Sequence, residues 1–286
     1  MKTNIYLKLL LTSFLVVSCA SNKKKDDDAT TKAQVYYSIG TASLQTKDYT
    51  EALTNLLKAV HLSPHDSKIH TNLGMAYYFK KDKEKAKKHL KKALEISPKE
   101  SDAQTNLASI YFEEGDMDSA ESEYRDILKN LVYDKQFRTY YNLGLIELKK
   151  NDPDKARKYF KQSLAENENF CPSHYQLGIL NLEQKSYDKA YKSFVEASKG
   201  TCYQNPAPQY YQGIALLKMN RYDEARIKME EIMLKFPQSD FADMAKRKMK
   251  SLEILTSNLV QEGLDPSRSP STNHDIDDTA FYTPEP

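Results

Sequence analysis

A small residue recurs along the chain at near-constant spacing, and this period constrains the fold more than any other feature. Aligned on Gly40, Gly74, Ala108, Gly144, Gly178 and Gly213, the spacings are 34, 34, 36, 34 and 35 residues. Twelve residues after each stands an alanine: Ala52, Ala86, Ala120, Ala156, Ala190 and Ala225. Four further on comes a large apolar residue: Leu56, Leu90, Tyr124, Phe160, Phe194 and Met229. A fixed period of this length marks stacked copies of one supersecondary unit. Within each unit, apolar residues recur three and four apart on both sides of a short polar turn, the period of two amphipathic helices. Turns such as Gln45-Thr46-Lys47-Asp48 and Lys149-Lys150-Asn151-Asp152 leave room only for an antiparallel hairpin. The small residue then has a steric task, since Gly or Ala lets two helices approach where a larger side chain holds them apart. Pro64, Pro98 and Pro237 end three of the second helices, because proline cannot continue one. Twenty tyrosines, no tryptophan and only eight glycines also argue for helices.

These residues resemble the tetratricopeptide repeat. Tyr36, Ile39, Gly40, Ala52, Leu56, Ala59 and Pro64 follow its pattern, and Leu73, Gly74, Tyr77, Ala86, Leu90, Ala93 and Pro98 follow it again. Units four and five depart, with Glu168 and Cys202 in place of the closing proline, and the sixth has Gln212 where leucine is usual. The resemblance implies an all-α fold: a right-handed superhelical solenoid of six repeats at 33–66, 67–100, 101–134, 137–170, 171–204 and 206–239. Residues 240–262, with Phe241, Met244, Met249, Leu252, Ile254 and Leu255, are expected to form a capping helix over the last hairpin, as exposed array ends require. From Gly263 onward Pro, Ser, Asp and Thr dominate, and 263–286 is expected to be a disordered tail.

The N-terminus points elsewhere. Lys2 and Lys8 precede a run from Leu9 to Val17 that carries no charge. That run is shorter than the roughly 20 apolar residues a membrane-spanning helix needs. A basic start, a short apolar middle and small residues after it describe a secretory signal peptide; an ordinary hydrophobic helix is the alternative. Val16-Val17-Ser18-Cys19 resembles the lipobox of bacterial lipoprotein precursors, with Val16 where leucine is commoner. The resemblance implies removal of residues 1–18 and lipidation of Cys19. Each buried methylene of an acyl chain is worth about 0.8 kcal/mol, and two or more chains anchor stably. Ala20, standing where aspartate would retain a lipoprotein at the inner membrane, implies the periplasmic face of the outer membrane. Residues 19–32, with six consecutive charges from Lys23 to Asp28, serve as a solvated tether.

Cleavage after residue 18 lowers the formal net charge from +2 to 0, so there is no overall surplus of cations to hold nucleic acid. No phosphate-cradling glycine loop, Ser-His-Asp order or paired-carboxylate pocket stands out, which argues against catalysis, a cofactor or a small-molecule substrate. His61, His65 and His70 cluster in sequence but lack a cysteine or obvious carboxylate partner, so a partly exposed trio is expected there and no metal. Cys171 and Cys202 occupy the first and thirty-second positions of unit five. Antiparallel helices bring those ends together, at the Cα separation of about 4.4–6.8 Å that a disulfide needs. Export permits the bond; two free buried thiols are the alternative.

In tetratricopeptide proteins the concave face is lined mainly by the fifth, ninth and twelfth positions of the first helix. Carried over, the fifth are Tyr37, Thr71, Thr105, Tyr141, Tyr175 and Tyr210; the ninth include Met75, Leu145 and Ile179; the twelfth include Tyr78 and Phe112. The resemblance implies an apolar, aromatic groove for a partner's helix or extended segment; tyrosines at these positions also pack against neighbours. Unit one lacks lysine and asparagine at its fifth and ninth positions, which speaks against the carboxylate clamp of chaperone cofactors. A lipobox, six repeats and a lengthened joint from Leu131 to Arg138, followed by Asn142-Leu143-Gly144, are similar to the type IV pilus pilotins. That family implies a secretin subunit as the protein partner and a membrane reached through the lipid anchor. A different envelope scaffold, recruiting cell-wall or envelope-assembly enzymes, is the alternative. A second lengthening near Asn205-Pro206 and the tail depart from that family's pattern.

Overall fold

The computed structural model describes residues 29–261. The expected signal peptide, Cys19, the six-charge run and the expected C-terminal tail lie outside the described residues. Within them are thirteen α-helices, one short 3-10 helix and no strand, so the all-α expectation holds. The chain divides into two compact units, residues 1–150 and 151–286. The first holds α1 (29–45), α2 (Tyr49–Leu62), α3 (Ser67–Phe79), α4 (Lys83–Ile96), α5 (Ser101–Glu114), α6 (Met117–Ile127) and α7 (Gln136–Lys149). The second holds α8 (Pro153–Glu166), α9 (Cys171–Glu183), α10 (Tyr187–Ala197), the 3-10 helix (Gly200–Gln204), α11 (Pro206–Lys218), α12 (Tyr222–Lys235) and α13 (Asp240–Gln261). Residues 29–32, expected in the tether, are already helical and lead into Ala33, which is buried.

The turns share one backbone device. At the fifteenth position of every repeat the chain enters the left-handed region: Lys47, Lys81, Gly115, Asn151, Lys185 and Asn220 have φ between 56° and 82°. Only one of them is glycine, so five turns carry a side chain where an L-residue is disfavoured. The next residue is aspartate in four repeats. Asp48, Asp82, Asp116 and Asp152 each accept the amide N–H three residues on at 3.0–3.1 Å, capping the second helix. In units four and five, which lack the closing proline, a proline opens the next helix instead, Pro172 in α9 and Pro206 in α11, where its absent N–H is no loss.

The small residues sit where the period places them. A methyl group built on Gly40 would lie 2.7 Å from Leu56 Cγ, and one on Gly74 2.7 Å from Leu90 Cγ. On Gly178 it would fall 2.5 Å from Phe194 Cε1, and on Gly213 2.7 Å from Met229 Cε. The large residue of each second helix thus fills the slot that the missing side chain leaves. In unit three the pair is Ala108 with Tyr124. The fully buried Tyr124 ring is satisfied at its hydroxyl by Ser109 Oγ and Asn142 Nδ2, both at 2.9 Å. Gln212, which departs from the repeat pattern, is buried and donates to Phe194 O at 3.1 Å and Ser198 Oγ at 2.9 Å, tying α11 to α10.

Helix α13 closes the second unit. Ala242, Ala245 and Leu252 are buried, and Phe241, Met244 and Met249 pack on the core of α11 and α12. Ile254 departs from the expectation: it is 55 % exposed, because it falls on the helix face turned away from that core.

The nature of the atom facing each glycine predicts unequal costs. Gly178→Ala is expected to destabilise by about 1–3 kcal/mol, since the Phe194 ring is held between neighbouring aromatics and cannot swing aside. Gly213→Ala should cost little, because the Met229 methyl is a flexible end and alanine gains about 1 kcal/mol of helix propensity. Denaturant unfolding of both variants checks the order.

Candidate functional site

The expected aromatic groove divides into members that stay accessible and members the core absorbs. In residues 151–261, Tyr175 on α9 lies 5.8 Å from Phe194 and 5.9 Å from Tyr211, centroid to centroid. Tyr211 stacks on Phe194 at 5.4 Å, and Tyr210 meets Tyr211 and Phe241 at 5.5 Å each. Tyr210, expected in the groove, is 4 % exposed because α13 lays Phe241 against it. Tyr175 and Ile179 remain half-buried against the same core. Here aromatic packing takes the ring faces that a partner would otherwise use.

In residues 29–150, Tyr37, Met75, Tyr78, Phe112, Tyr141 and Leu145 are all half-buried. Tyr78 on α3 donates its hydroxyl to Glu113 on α5, and Lys83 on α4 meets the same carboxylate at 2.9 Å. Burial, with the Glu113 carboxylate beside it, pushes the Tyr78 hydroxyl up to about 12. The twelfth-position aromatic therefore serves partly as a strut between repeats.

Beside the fifth positions Tyr37, Thr71 and Thr105 lies an open groove of about 410 Å³, and its lining is polar. The lengthened joint makes one wall. Leu131 and Val132 stand at its tip, 88 % and 90 % exposed, while the residues around them fold back onto α5. Asn130 Nδ2 donates to Ser101 Oγ at 2.9 Å, and Tyr133 donates to Asp102 Oδ1 at 3.3 Å. Lys135 Nζ reaches both Asp102 oxygens, at 2.9 and 3.2 Å. Asn72 Nδ2 donates to Thr41 Oγ1 at 2.7 Å, and Glu100 accepts from Ser67 Oγ at 3.0 Å. Lys68, Asn106 and Arg138 complete the lining. None of these polar residues was singled out from the sequence as a site. The signal available was the asparagine at the sixth position of units two and three, Asn72 and Asn106.

The three histidines expected as a partly exposed trio separate. His61 and His65 are exposed, but His70 is buried on α3. Its Nδ1 lies 3.1 Å from His89 Nδ1 and its Nε2 3.1 Å from Pro64 O, so each contact shares one proton. Burial, then neighbouring His70 and Lys88, pushes His89 down to about 4. No group of three metal-binding side chains occurs among the described residues.

Cys171, at the start of α9, and Cys202, in the 3-10 helix, form a disulfide with Cα atoms 6.4 Å apart. The bond holds the inserted turn after α10 against the opening of α9.

Among the described residues no helix is long and apolar enough to cross a membrane. Tetratricopeptide repeat models match residues 100–165, 141–206 and 209–239, and a model described as regulator of microtubule dynamics protein 1-3 matches 30–111. No curated protein sequence matches significantly. Among solved structures, pilF of Pseudomonas aeruginosa is 19 % identical with a TM-score of 0.67, covering 79 % of this chain and 99 % of that one. PilW, described as a widely conserved type IV pilus biogenesis factor, is 16 % identical with a TM-score of 0.65, covering 74 % and 97 %. The Cut9–Hcn1 assembly of the APC/C is 16 % identical with a TM-score of 0.64, covering 78 % of this chain and 44 % of that one. At these identities the likeness is one of fold.

Two outcomes follow from the side-chain environments. Replacing both cysteines by serine should cost about 3–4 kcal/mol, the chain entropy of a closed loop of this length, and a mobility shift between reducing and non-reducing gels should vanish. Acid should act through His89. Its folded value lies below the usual 6.5, so the unfolded chain binds a proton that the fold refuses. Stability is therefore lost as pH falls from about 6.5 to about 4, and His89→Gln should flatten the fall of Tm across that window.

Proposed function

We propose that this chain, built of tetratricopeptide repeats, is a non-enzymatic adaptor fastened by an acylated Cys19 to the periplasmic face of the outer membrane. There it localises the type IV pilus secretin or promotes its assembly. Repeats of this kind are generally scaffolds for protein partners. The observation that carries the finer reading is the likeness in fold to pilF and PilW over nearly their whole lengths, joined to a lipobox-like Val16-Val17-Ser18-Cys19.

In this mechanism the lipid supplies location and the repeats supply grip. A tether raises the effective concentration of the binding surface at the membrane without any new contact. Accessible apolar and aromatic side chains such as Tyr37, Met75 and Phe112 in the first unit hold an unassembled subunit until it oligomerises. The Cys171–Cys202 disulfide accords with an oxidising compartment. The second reading, an envelope scaffold for cell-wall or assembly enzymes, draws on the same fold serving the unrelated Cut9–Hcn1 assembly.

Deletion of the gene should abolish secretin multimers while monomers persist, and Cys19→Ala should do the same while the protein leaves the membrane fraction. Unchanged multimers in the deletion remove the secretin role and leave the scaffold. Failure of Cys19 to incorporate labelled palmitate removes the anchor.

A further inference from the structure

Resting on the adaptor reading and its acylated Cys19, we infer that one edge of the first unit lies on the lipid surface, with Leu131 and Val132 inserted into it. Side chains about one repeat apart meet throughout this unit. Asn72 meets Thr41, Tyr78 meets Glu113 and Lys135 meets Asp102, partners 31–35 positions apart. The first helices α1, α3, α5 and α7 therefore run parallel, and their starts line one edge. The loops that reach this edge are 63–66, 97–100 and 128–135. Helix α1 also opens there, at residue 29, ten residues beyond Cys19. A chain of that length spans about 35 Å at most, so an acyl group on Cys19 keeps this edge close to the lipid. The opposite edge lies a helix length, about 25 Å, further along.

The two edges differ in chemistry. Each loop on the Cys19 side exposes an apolar residue: Pro64, Pro98, and the pair Leu131 and Val132. At 88 % and 90 %, that pair is the most exposed of the large hydrophobics among the described residues. The turns of the other edge, Gln45–Asp48, Lys80–Asp82 and Gly115–Asp116, hold only polar residues and glycine. Phe79 beside them is stacked on Tyr49 at 4.5 Å. Single exposed hydrophobics are ordinary, but this pair is held out. Tyr133 N–H donates to Asn130 O at 3.1 Å, closing a turn with Leu131 and Val132 at its apex. Asn130 is bonded to Ser101, Gln136 Nε2 to Asn130 O, and Lys135 to Asp102, so the apex cannot fold back to bury itself. A protruding apolar pair is buried by entering something soft, and the interfacial layer of a bilayer takes such side chains. Charge adds little, since Lys129 is paired with Asp126 and Lys135 with Asp102, while Asp134 offsets Lys99 in number. Two side chains suffice because the anchor already supplies the proximity. The lipid thus orients the first unit, and Tyr37, Met75 and Phe112, which lie within the helices and not at the edge, stay open to a partner.

The test uses the full, acylated chain in phospholipid vesicles, with an environment-sensitive fluorophore on Val132→Cys or on Lys47→Cys at the opposite edge. Both positions are exposed, so Tm should match the parent, and the Cys171–Cys202 disulfide leaves neither of those thiols to be labelled. The probe at 132 should shift to the blue and be quenched by nitroxides carried on the lipid. The probe at 47 should do neither. The shift at 132 should be equal in neutral and anionic vesicles and insensitive to salt, as apolar insertion requires. Water-like emission at 132, or equal shifts at both positions, overturns the inference. So does a shift that needs added secretin subunits, which assigns the apex to a protein pocket, or one that rises with chain concentration without lipid, which assigns it to a second copy. If Cys19 carries no acyl group, the anchor fails and this inference with it. Acylation with water-like emission at 132 defeats the inference alone and leaves the adaptor reading to secretin multimerisation.

Discussion

The closest approach of first helix to second, at one small residue per repeat, is the constraint on which the remaining structure depends. Gly40, Gly74, Gly178 and Gly213 let Leu56, Leu90, Phe194 and Met229 press directly onto the opposing backbone. A single hairpin closed this way buries only one of its faces. Stacking the next hairpin covers the other, so stability accumulates through neighbouring pairs and not through one central core. The aromatic cluster of Tyr175, Phe194, Tyr211, Tyr210 and Phe241 shows the consequence at the chain's far end, where α13 takes the role of a further repeat.

Close approach also dictates the turns. Two helices in contact along their length must be joined by a reversal of very few residues, and one residue in the left-handed region provides it. Five of the six turns place Lys or Asn there, so the geometry persists although the local preference is against it. The aspartate caps that follow in four repeats answer the exposed amides at the start of each second helix. Local chemistry and packing thus agree at the caps and disagree at the fifteenth position, where packing prevails.

The first unit shows how a small irregularity in such an array becomes a feature with chemistry. Two additional residues between α6 and α7 cannot extend either helix without breaking the register of the small-residue slots. They are instead turned outward at Leu131 and Val132 and folded back through Tyr133 and Lys135 onto Asp102. A surface that the repeat pattern marks as aromatic acquires a polar compartment beside it. The aromatic positions, meanwhile, are partly consumed in holding repeats together, as with Tyr78 on Glu113 and Tyr210 under Phe241.

Much of the fold was legible beforehand because helices, their paired faces and their short turns are written in local spacing. Periodicity carried the all-α architecture, the steric role of the glycines and the added last helix, and the positions of Cys171 and Cys202 at opposite ends of one hairpin brought them within bonding reach. Two misreadings share a cause. Tyr210 is covered by Phe241, and His70 leaves His61 and His65 to meet His89, each because a neighbour distant in sequence determines its surroundings. Ile254 instead faces solvent because its side of α13 turns away from the core. The polar groove likewise joins residues from four helices and a joint, spread from Tyr37 to Arg138. Sequence by itself determined which residues form helices and which of their faces seek burial, since both follow from a period along one chain. Tertiary structure decided which of those faces stay open and where charges converge, because that depends on how separate elements cross in space, and no spacing along the chain encodes it.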